Sequence, residues 1–311
     1  MIFVAGSANL DFVVRASHIP SPGETVLGRD FQTFPGGKGA NQAVACARAG
    51  GVATEMLLAL GDDPHAGLIE TSLRSAAVTL HTLRIADQPT GCAFICVSSD
   101  GENAITVAPG ANSALRSTHL PSLCGASHLL MQLEIPLATV QAYATQARRQ
   151  GVKVVLNAAP VQMLPAALLA LTDVLVVNED ELASVTRHQG SIAQGMSQLA
   201  VPCVVVTLGA RGCLARMEGK FFTQPAYPVK AVDTTAAGDT FCGVLAATLS
   251  ESLEIQEALK LASAAAALAC TRPGAQQSIP DYTTVQALVR ELPPATTDQH
   301  TALRHYGGLA D

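Results

Sequence analysis

The sequence predicts an α/β fold, in which helices cover both faces of a mostly parallel central sheet and a small β-sheet lies beside it. Short apolar runs of strand length alternate with helical segments through most of the chain. Strands that are apolar on both faces and alternate with helices are typical of a parallel sheet buried between two helical layers. Hydrophobic residues make up 49% and charged residues 14% of the 311 residues, a composition that can bury a large core.

The individual elements follow in chain order. Apolar runs predict strands at residues 2–5, 55–59, 128–133, 153–156, 174–177 and 204–207. Helical spacing predicts helices at residues 39–48, 137–149, 179–186, 192–199, 239–249, 255–269 and 284–291. We expect residues 1–311 to form a single α/β domain that ends in a polar, loosely held tail at 293–311.

Two segments, at about residues 9–35 and 90–108, interrupt this alternation. Both contain extended, alternating pieces divided by turn residues, Ser21-Pro22-Gly23 in the first segment and residues 99–103 in the second. They predict antiparallel strands outside the main sheet, which would cover a site on the larger part of the protein as a lid. The alternative is that they are ordinary hairpins without a mobile role.

Charge and cysteine content exclude some classes of protein. The net charge of −6 argues against a nucleic-acid-binding protein, which needs a basic face, but leaves room for a single nucleotide. The N-terminus has no basic segment before its apolar residues, and the apolar-rich stretch 262–269 is too short to span a bilayer. None of the eight cysteines forms a C-x-x-C pair, which favours free thiols in a reducing compartment. We therefore expect a cytoplasmic protein without a membrane segment.

The first segment that carries chemistry is Asp233-Thr-Thr-Ala-Ala-Gly-Asp-Thr-Phe241. Its small residues, Ala236, Ala237 and Gly238, come just before a predicted helix, where they would allow backbone N–H groups to face an anion. Asp239 would then lie in the first helical turn, where a carboxylate can orient an attacking hydroxyl and accept its proton. Plain helix capping remains an equal alternative for this segment alone.

The second segment is Phe34-Pro-Gly-Gly-Lys-Gly-Ala-Asn-Gln42. Gly36 and Gly37 allow a tight turn and a close backbone approach to a ligand. The segment is not a Walker A loop, because glycine follows Lys38, and it is not the dinucleotide fingerprint, because Gln42 stands in the place of the last glycine. The Asn41 amide suits sugar hydroxyls, whereas the alternative is a structural turn.

Together, and in this order, the two segments resemble the paired signatures of the ribokinase (pfkB-type) family of carbohydrate kinases. The resemblance extends over about residues 2–280, with further matches at 6–11, 22–25, 131–134, 178–181, 207–212 and 271–276. It implies a ribokinase-like α/β fold and the ATP-dependent phosphorylation of a free sugar. D-ribose, phosphorylated at its 5-hydroxyl, is the substrate that the resemblance favours. Asp239 would be the base, and the backbone amides of residues 236–239 would form the anion hole. The family pattern often has glycine where this chain has Ala236.

The resemblance also implies binding residues. The sugar would be bound by Asn9, Asp11, Gly37, Lys38, Asn41 and Glu134. The nucleotide would be bound by Asn178, Thr207, Gly209, Arg211, Gly212, Gly238 and Ser263. Glu181 would organise Mg²⁺, and a monovalent cation, usually K⁺, would be held at Asp233, Thr235, Ala269, Arg272, Gly274 and Ser278.

The chemistry of these residue types agrees with such roles. Amides and carboxylates can engage adjacent hydroxyls of a sugar, and Glu134 follows an apolar strand, where parallel sheets place ligand groups. Carboxylate oxygens such as those of Glu181 are preferred by Mg²⁺. Solvent exposure is the alternative for Arg211, and helix packing is the alternative for Ser263.

Other functions stay open at this point. The substrate could be deoxyribose, fructose or a nucleoside such as adenosine, or the chain could be a non-catalytic sugar sensor. A nicotinamide-dependent oxidoreductase would require the glycine fingerprint, which is absent near Gly6. Edge strands of the small sheet also favour a homodimer formed through the lid.

Overall fold

The computed structural model describes residues 1–100 and 102–309. In this part of the chain the strands are β1 (Ile2–Ala5), β2 (Asn9–Arg15), β3 (Arg29–Gly36), β4 (Thr54–Gly61), β5 (Val78–Ile85), β6 (Gly91–Val97), β7 (Asn103–Ala108), β8 (His128–Met131), β9 (Lys153–Asn157), β10 (Val174–Asn178), β11 (Cys203–Thr207), β12 (Gly212–Met217) and β13 (Lys220–Pro225). The α-helices are α1 (Lys38–Val44), α2 (Pro64–Ser75), α3 (Leu137–Arg149), α4 (Ala166–Leu169), α5 (Glu179–Thr186), α6 (Ile192–Gln198), α7 (Ala237–Ser250), α8 (Ile255–Ala269), α9 (Tyr282–Glu291) and α10 (Thr297–Gly307). A π-helical turn, Ala45–Ala49, continues α1.

The central sheet has the strand order β13-β12-β11-β10-β9-β8-β1-β4-β5. Its strands are parallel from β11 to β5, and β12 and β13 add an antiparallel edge. Alternate residues of β1 enter opposite cores: Ile2 packs in the same cluster as Leu245 of α7, whereas Phe3 packs in the same cluster as Tyr143 of α3. The predicted α/β fold with helices on both faces is therefore confirmed.

Each predicted strand and helix is present within a few residues of its expected bounds. The sequence analysis missed β5, β12, β13 and the helices α2, α4 and α10. Two of the missed strands had one available signal, Gly219, since β12 and β13 are joined by only Glu218 and Gly219, both of which have positive φ in the structure. Such a two-residue connection is the usual sequence mark of a hairpin.

The small sheet has the order β3-β2-β6-β7, and its strands fall within the two segments expected to form a lid. It is mixed rather than antiparallel, because β2 pairs parallel to β6, while β2 with β3 and β6 with β7 are antiparallel. The expected antiparallel pairing is therefore present in β2 with β3 and in β6 with β7, and the parallel pair of β2 and β6 joins the two segments. This pair is parallel because β2 follows β1 and β6 follows β5, two parallel strands of the central sheet, so both insertions leave the same edge in the same direction.

Helix α7 packs closely against α1, and this contact positions the site. A side chain at Gly243 would lie 2.5 Å from the Cβ of Ala45 and 2.6 Å from the carbonyl oxygen of Gln42, so glycine is required there. The following helix, α8, is rich in alanine and also packs on α7. No helix within the described residues combines the length and the apolar character that a membrane span requires.

The tail expected to be loosely held forms α10 instead. Its first turn has a capping box between Thr296 and Gln299, and Leu303 is 4% exposed in the same apolar cluster as Leu214 of β12. A side chain at Gly307 would lie 2.4 Å from Cδ1 of Leu214. The polar composition of the tail concealed these few apolar contacts, which hold the helix to the sheet.

Candidate active site

Asp239 lies in the first turn of α7, with its carboxylate against α1. The side chain is 8% exposed, and its Oδ2 accepts a hydrogen bond of 3.0 Å from Nδ2 of Asn41. Its Oδ1 accepts a second bond of 3.0 Å from Nε2 of Gln42. Two amide donors therefore hold the plane of the carboxylate, while each oxygen keeps acceptor capacity for a further partner.

Asn9 and Asp11 lie in β2, and both are buried. Oδ1 of Asn9 accepts a hydrogen bond of 2.8 Å from Nδ2 of Asn112, whose amide also bonds the backbone of Ala8. Burial, and then the charges of Glu134 and Asp239, raise the pKa of Asp11 to about 7. The charged form of Asp11 is thus disfavoured by its surroundings, and perturbed pKa values of this kind cluster at functional sites.

Glu134 follows β8 at the carboxyl edge of the central sheet, as predicted. Its Oε2 accepts a hydrogen bond of 2.6 Å from Oγ of Ser7 and one of 3.1 Å from the backbone N–H of Lys38. These bonds connect the ends of β1 and β8 to the first turn of α1.

Gly36 and Gly37, the glycine pair before α1, allow the chain to pass close to β2 and to the side chain of Asp11. A side chain at Gly36 would lie 2.1 Å from Oδ2 of Asp11, and one at Gly37 would lie 2.7 Å from the backbone nitrogen of Asn9. Gly37 also has φ of 88°, which glycine adopts readily. The close approach predicted from these glycines is therefore an approach to β2 and its polar side chains.

Lys38 lies among the acidic groups. The negative charge of Asp239 raises the pKa of Lys38 against the opposing effect of burial, and Glu134 and Glu181 add smaller contributions in the same direction. We call Asp11, Lys38, Glu134, Glu181 and Asp239 the charged cluster. The acidic groups outnumber the ammonium even when Asp11 keeps its proton, so the cluster has an excess of negative charge that favours a further cation.

The turn that leads into α7 is strained and open to a ligand. Ala236 has φ of 59° and ψ of 8°, the left-handed region, and the N–H of Ala237 donates to the carbonyl of Thr234 at 3.2 Å. The first-turn N–H groups of Gly238 and Asp239 have no carbonyl partner within a helix. A side chain at Gly238 would meet nothing within 4 Å. Of the expected anion hole, Gly238 and Asp239 thus offer their N–H groups, whereas the N–H of Ala237 is engaged in the turn.

Asn178 and Glu181 begin α5 and bind each other. Oδ1 of Asn178 accepts from the N–H of Glu181, and Oε2 of Glu181 accepts from the N–H of Asn178, each at 2.8 Å. This capping box accounts for both residues as a helix start. Burial nevertheless raises the pKa of Glu181, and the nearby Lys38 opposes this rise, so the carboxylate also belongs to the charged cluster.

A cavity of about 380 Å³ lies beside the N-terminus of α7. Five of the predicted nucleotide residues line it: Thr207, Gly209, Gly212, Gly238 and Ser263. The sequence analysis missed its apolar wall, which is formed by Ala226, Tyr227, Pro228, Val229, Ala266 and Ala267. This wall comes from the loop after β13 and from α8, and an apolar wall with a polar end is typical of small-molecule sites.

A second cavity, of about 250 Å³, lies between the small sheet and the loop before α7. Asp11 lines it on one side and Asp233 on the other. Ala231 and Thr234 line both cavities, so the loop that leads to Asp239 borders both spaces, whereas Asp239 itself lines neither.

Arg211 does not line the nucleotide-sized cavity. Its guanidinium lies 4.3 Å from the ring centroid of Tyr306 in α10, and the Tyr306 hydroxyl donates to Oε1 of Glu179 at 2.7 Å. The structure therefore gives Arg211 a packing partner, and its predicted contact with the nucleotide stays a prediction.

The predicted monovalent-cation residues come from two loops that are bonded to each other. Oδ1 of Asp233 accepts from the N–H and the hydroxyl of Thr235, at 2.9 and 2.6 Å, and Oδ2 accepts from the N–H of Gly274 at 2.9 Å. Ala269, Arg272 and Ser278 lie at the end of α8 and in the loop that follows it. Among the described residues no group of three or more His, Cys, Asp or Glu could hold a metal ion, so a cation here would need hydroxyl and backbone oxygens in addition to the carboxylate of Asp233.

Comparison with known proteins decides the family. The pattern of the pfkB family of carbohydrate kinases matches residues 1–282. The chain belongs to this family. A ribokinase of Haemophilus influenzae is 38% identical over 289 residues, which cover 89% of this chain and 94% of the relative.

Solved structures agree with this assignment. The ribokinase of Thermotoga maritima has a TM-score of 0.85 and 36% identity, covering 93% of this chain and 99% of its own. The ribokinase of Arabidopsis thaliana, solved with ribose and ATP, has a TM-score of 0.85 and 34% identity over 93% of this chain and 98% of its own. The chain is thus an ATP-dependent sugar kinase by family, as predicted.

Sequence reasoning missed several polar residues of this carbohydrate kinase. Gln42, Gln132 and Asn157 form a buried hydrogen-bonded chain that reaches Asp239, and Asn112 holds Asn9. Gln132 and Asn157 stand at the ends of apolar strands, as Glu134 nearly does, and this position was the available signal. Asn112 follows the second lid segment and gave no comparable signal.

Proposed function

We propose that this kinase transfers the γ-phosphoryl group of ATP to the 5-hydroxyl of D-ribose, which yields ribose 5-phosphate and ADP. One observation carries the proposal: the buried carboxylate of Asp239 stands in the first turn of α7, where the loop shared by the two cavities ends. Asp239 itself lines neither cavity, and a sugar and a nucleotide that each extend past the end of this loop would meet at its carboxylate. The relatives named ribokinase support ribose as the acceptor.

In this mechanism Asp239 accepts the proton of the attacking hydroxyl as the oxygen approaches phosphorus in line with the leaving ADP. The amides of Asn41 and Gln42 hold the carboxylate, so that little reorganisation is needed when the proton arrives. The N–H groups of Gly238 and Asp239 face the transferred phosphoryl group and stabilise its charge. Closure of the small sheet over the sugar excludes water, which would otherwise compete as acceptor.

The sugar is bound by the polar residues under the small sheet. Asp11 and Glu134 accept hydrogen bonds from adjacent hydroxyls, while Asn9, Lys38 and Asn41 supply donors and further acceptors. The side-chain oxygen of Asn41 is buried without a partner among the described residues, and a ribose hydroxyl would satisfy it.

ATP lies in the larger cavity, with the adenine against the apolar wall and the phosphates toward the N-terminus of α7. Glu181 has one carboxylate oxygen left beyond its capping bond and would hold Mg²⁺ through bound water, which neutralises phosphate charge. The carboxylate, carbonyl and hydroxyl oxygens around Asp233 fit K⁺, whose charge would support the turn before α7.

We also propose a homodimer formed through the small sheet. Its strands β3 and β7 are edges, and the exposed rings of Phe31 and Phe94 stack on Phe12 with centroid distances of 6.2 and 5.4 Å. Unpaired edge strands and an exposed aromatic cluster on the face of a sheet are both typical of association sites. Sedimentation of the wild type should show a dimer and Phe94→Asp a monomer; a wild type that is monomeric at every concentration would contradict this.

A cytoplasmic location completes the proposal. All eight cysteines are free thiols, and four of them are buried. Free thiols persist in a reducing compartment. Fractionation of the native cells would check this, and recovery of the protein outside the cytoplasm would oppose it.

The test of function couples ADP release to a panel of ribose, 2-deoxyribose, fructose, adenosine and uridine, with and without K⁺. Ribose should have the highest kcat/KM. Preference for a nucleoside would overturn the choice of substrate, and inactivity with every compound would favour a sugar sensor.

The same assay tests the base. Asp239→Asn should lower kcat at least about 100-fold, the scale of general-base catalysis, with little change in the KM for ATP. Asp298→Asn is the matched control, because Asp298 is a first-turn aspartate of α10. Near-normal turnover of Asp239→Asn would refute the role of the base.

A further inference from the structure

We infer that Gln42 is a positioning residue for the catalytic carboxylate, and this inference rests on the proposed function. Nε2 of Gln42 donates to Oδ1 of Asp239 and to Oδ1 of Asn157, each at 3.0 Å. Oε1 of Gln42 accepts a bond of 2.6 Å from Nε2 of Gln132. The side chain of Gln42 is 0% exposed, so these protein groups replace water entirely.

The direction of every bond in this chain is determined from both ends. At one end the carbonyl of Val176 can only accept, and it receives Nδ2 of Asn157 at 3.3 Å. Asn157 must then present its oxygen to Gln42, which must present its NH₂ group. At the other end the carboxylate of Asp239 also accepts. A flipped amide at Gln42 would place its oxygen against two acceptors, so only one orientation is satisfied.

This arrangement matters because an aspartate carboxylate has little torsional preference of its own. The terminal torsion of Asp is broad, and a carboxylate held at one oxygen can still rotate. In this site Asn41 holds Oδ2 and Gln42 holds Oδ1 of Asp239, so rotation is opposed at both oxygens. A proton acceptor must lie within a few tenths of an ångström of its productive position.

The backbone brings the amides together at two close approaches. Gly243 lets α7 lie against the carbonyl of Gln42, since a side chain there would come within 2.6 Å. A side chain at Gly6 would lie 2.0 Å from Oε1 of Gln132, so Gly6 leaves the space that this amide occupies. These two close approaches fix the positions of α1, α7 and the sheet edge relative to each other. They do so at the place where Gln42 bonds Asp239.

The test is a double-mutant cycle on ribose phosphorylation. Gln42→Met keeps length and apolar volume but removes the donor, and it should lower kcat about 10- to 100-fold with little change in the KM for ATP. In the Asp239→Asn background the same substitution should change kcat less than about 2-fold, because the carboxylate it positions is gone. A loss of equal size in both backgrounds would refute the positioning role.

A second variant covers the case in which Gln42→Met does not fold. Gln132→Met removes a buried oxygen that has no partner among the described residues, Oε1 of Gln132, and leaves Oε1 of Gln42 without its donor. The number of unpaired buried oxygens is therefore unchanged, and folding should be retained. The kcat of this variant should fall between those of the wild type and the Asp239→Asn variant, again only when Asp239 is present. Wild-type kcat in Gln132→Met would overturn the proposed chain. The proposed function itself fails only if the wild type does not phosphorylate ribose.

Discussion

The ionisation of Asp11 allows the electrostatics of the site to be tested without any substrate. Its carboxyl group is 7% exposed, and burial together with the charges of Glu134 and Asp239 raises its pKa from 3.8 to about 7. Between about pH 4 and pH 7 the folded protein therefore keeps a proton that the unfolded chain has released. Since the folded state binds more protons in this window, its stability must fall as the pH rises through it.

Asp11→Asn removes this ionisation and keeps the shape of the side chain. A pKa rise of about three units corresponds to about 4 kcal/mol, an upper limit for the penalty of ionised Asp11. The stability of Asp11→Asn relative to the wild type should therefore increase by about 2 to 4 kcal/mol from about pH 4 to about pH 8. Urea unfolding of both substrate-free proteins across this range measures the difference.

The control is Asp30→Asn, which alters a carboxylate of the same small sheet whose side chain is 64% exposed. Its difference from the wild type should stay nearly constant with pH. A constant difference for Asp11→Asn as well would refute the view that burial and neighbouring charges strain Asp11. In the kinase assay, Asp11→Asn should raise the KM for ribose, because the substitution removes one charged hydrogen-bond acceptor from the sugar site.

Three further predictions concern the turn, the tail and the metal. Ala236→Gly should raise the free energy of unfolding by about 1 kcal/mol, because glycine adopts the left-handed conformation at lower cost than alanine. Urea unfolding measures this free energy, and a decrease would contradict the prediction. Leu303→Ala should lower the free energy of unfolding by about 2 to 4 kcal/mol, because Leu303 is buried. The control is Leu253→Ala at an exposed position, which should change this free energy by less than about 0.5 kcal/mol. Equal effects of the two substitutions would show that α10 is not packed on the sheet. Glu181→Gln keeps an oxygen for the capping box but removes the negative charge. It should raise the Mg²⁺ concentration for half-maximal activity about 10-fold. An unchanged Mg²⁺ titration would show that Glu181 is not part of the metal site.

The predictions from sequence were reliable where one physical signal dominated. Strands β1, β8 and β10 are apolar on both faces, because both faces are buried, and their runs were plain. Strand β5 alternates apolar and polar residues at a partly exposed edge and was missed. Helix α10 was missed because it buries few side chains, so its apolar pattern is weak.

Residue types and local geometry at the site followed from the sequence. Small residues before a predicted helix indicated an open first turn at Gly238. Asp239 follows Gly238 directly, so it was expected in the same turn. The order of the two signature segments identified the family, which the comparisons confirm. Local chain chemistry therefore determined which residues could act.

Only the tertiary structure decided which groups meet. Gln42 bonds Asp239 across 197 residues and Asn157 across 115 residues, and no local pattern encodes such pairs. Packing of α10 places the ring of Tyr306 4.3 Å from the guanidinium of Arg211, a contact that no local pattern indicated. Hydrogen-bond partners and pKa values depend on distances between distant segments, and these distances arise when the sheet and its helices pack.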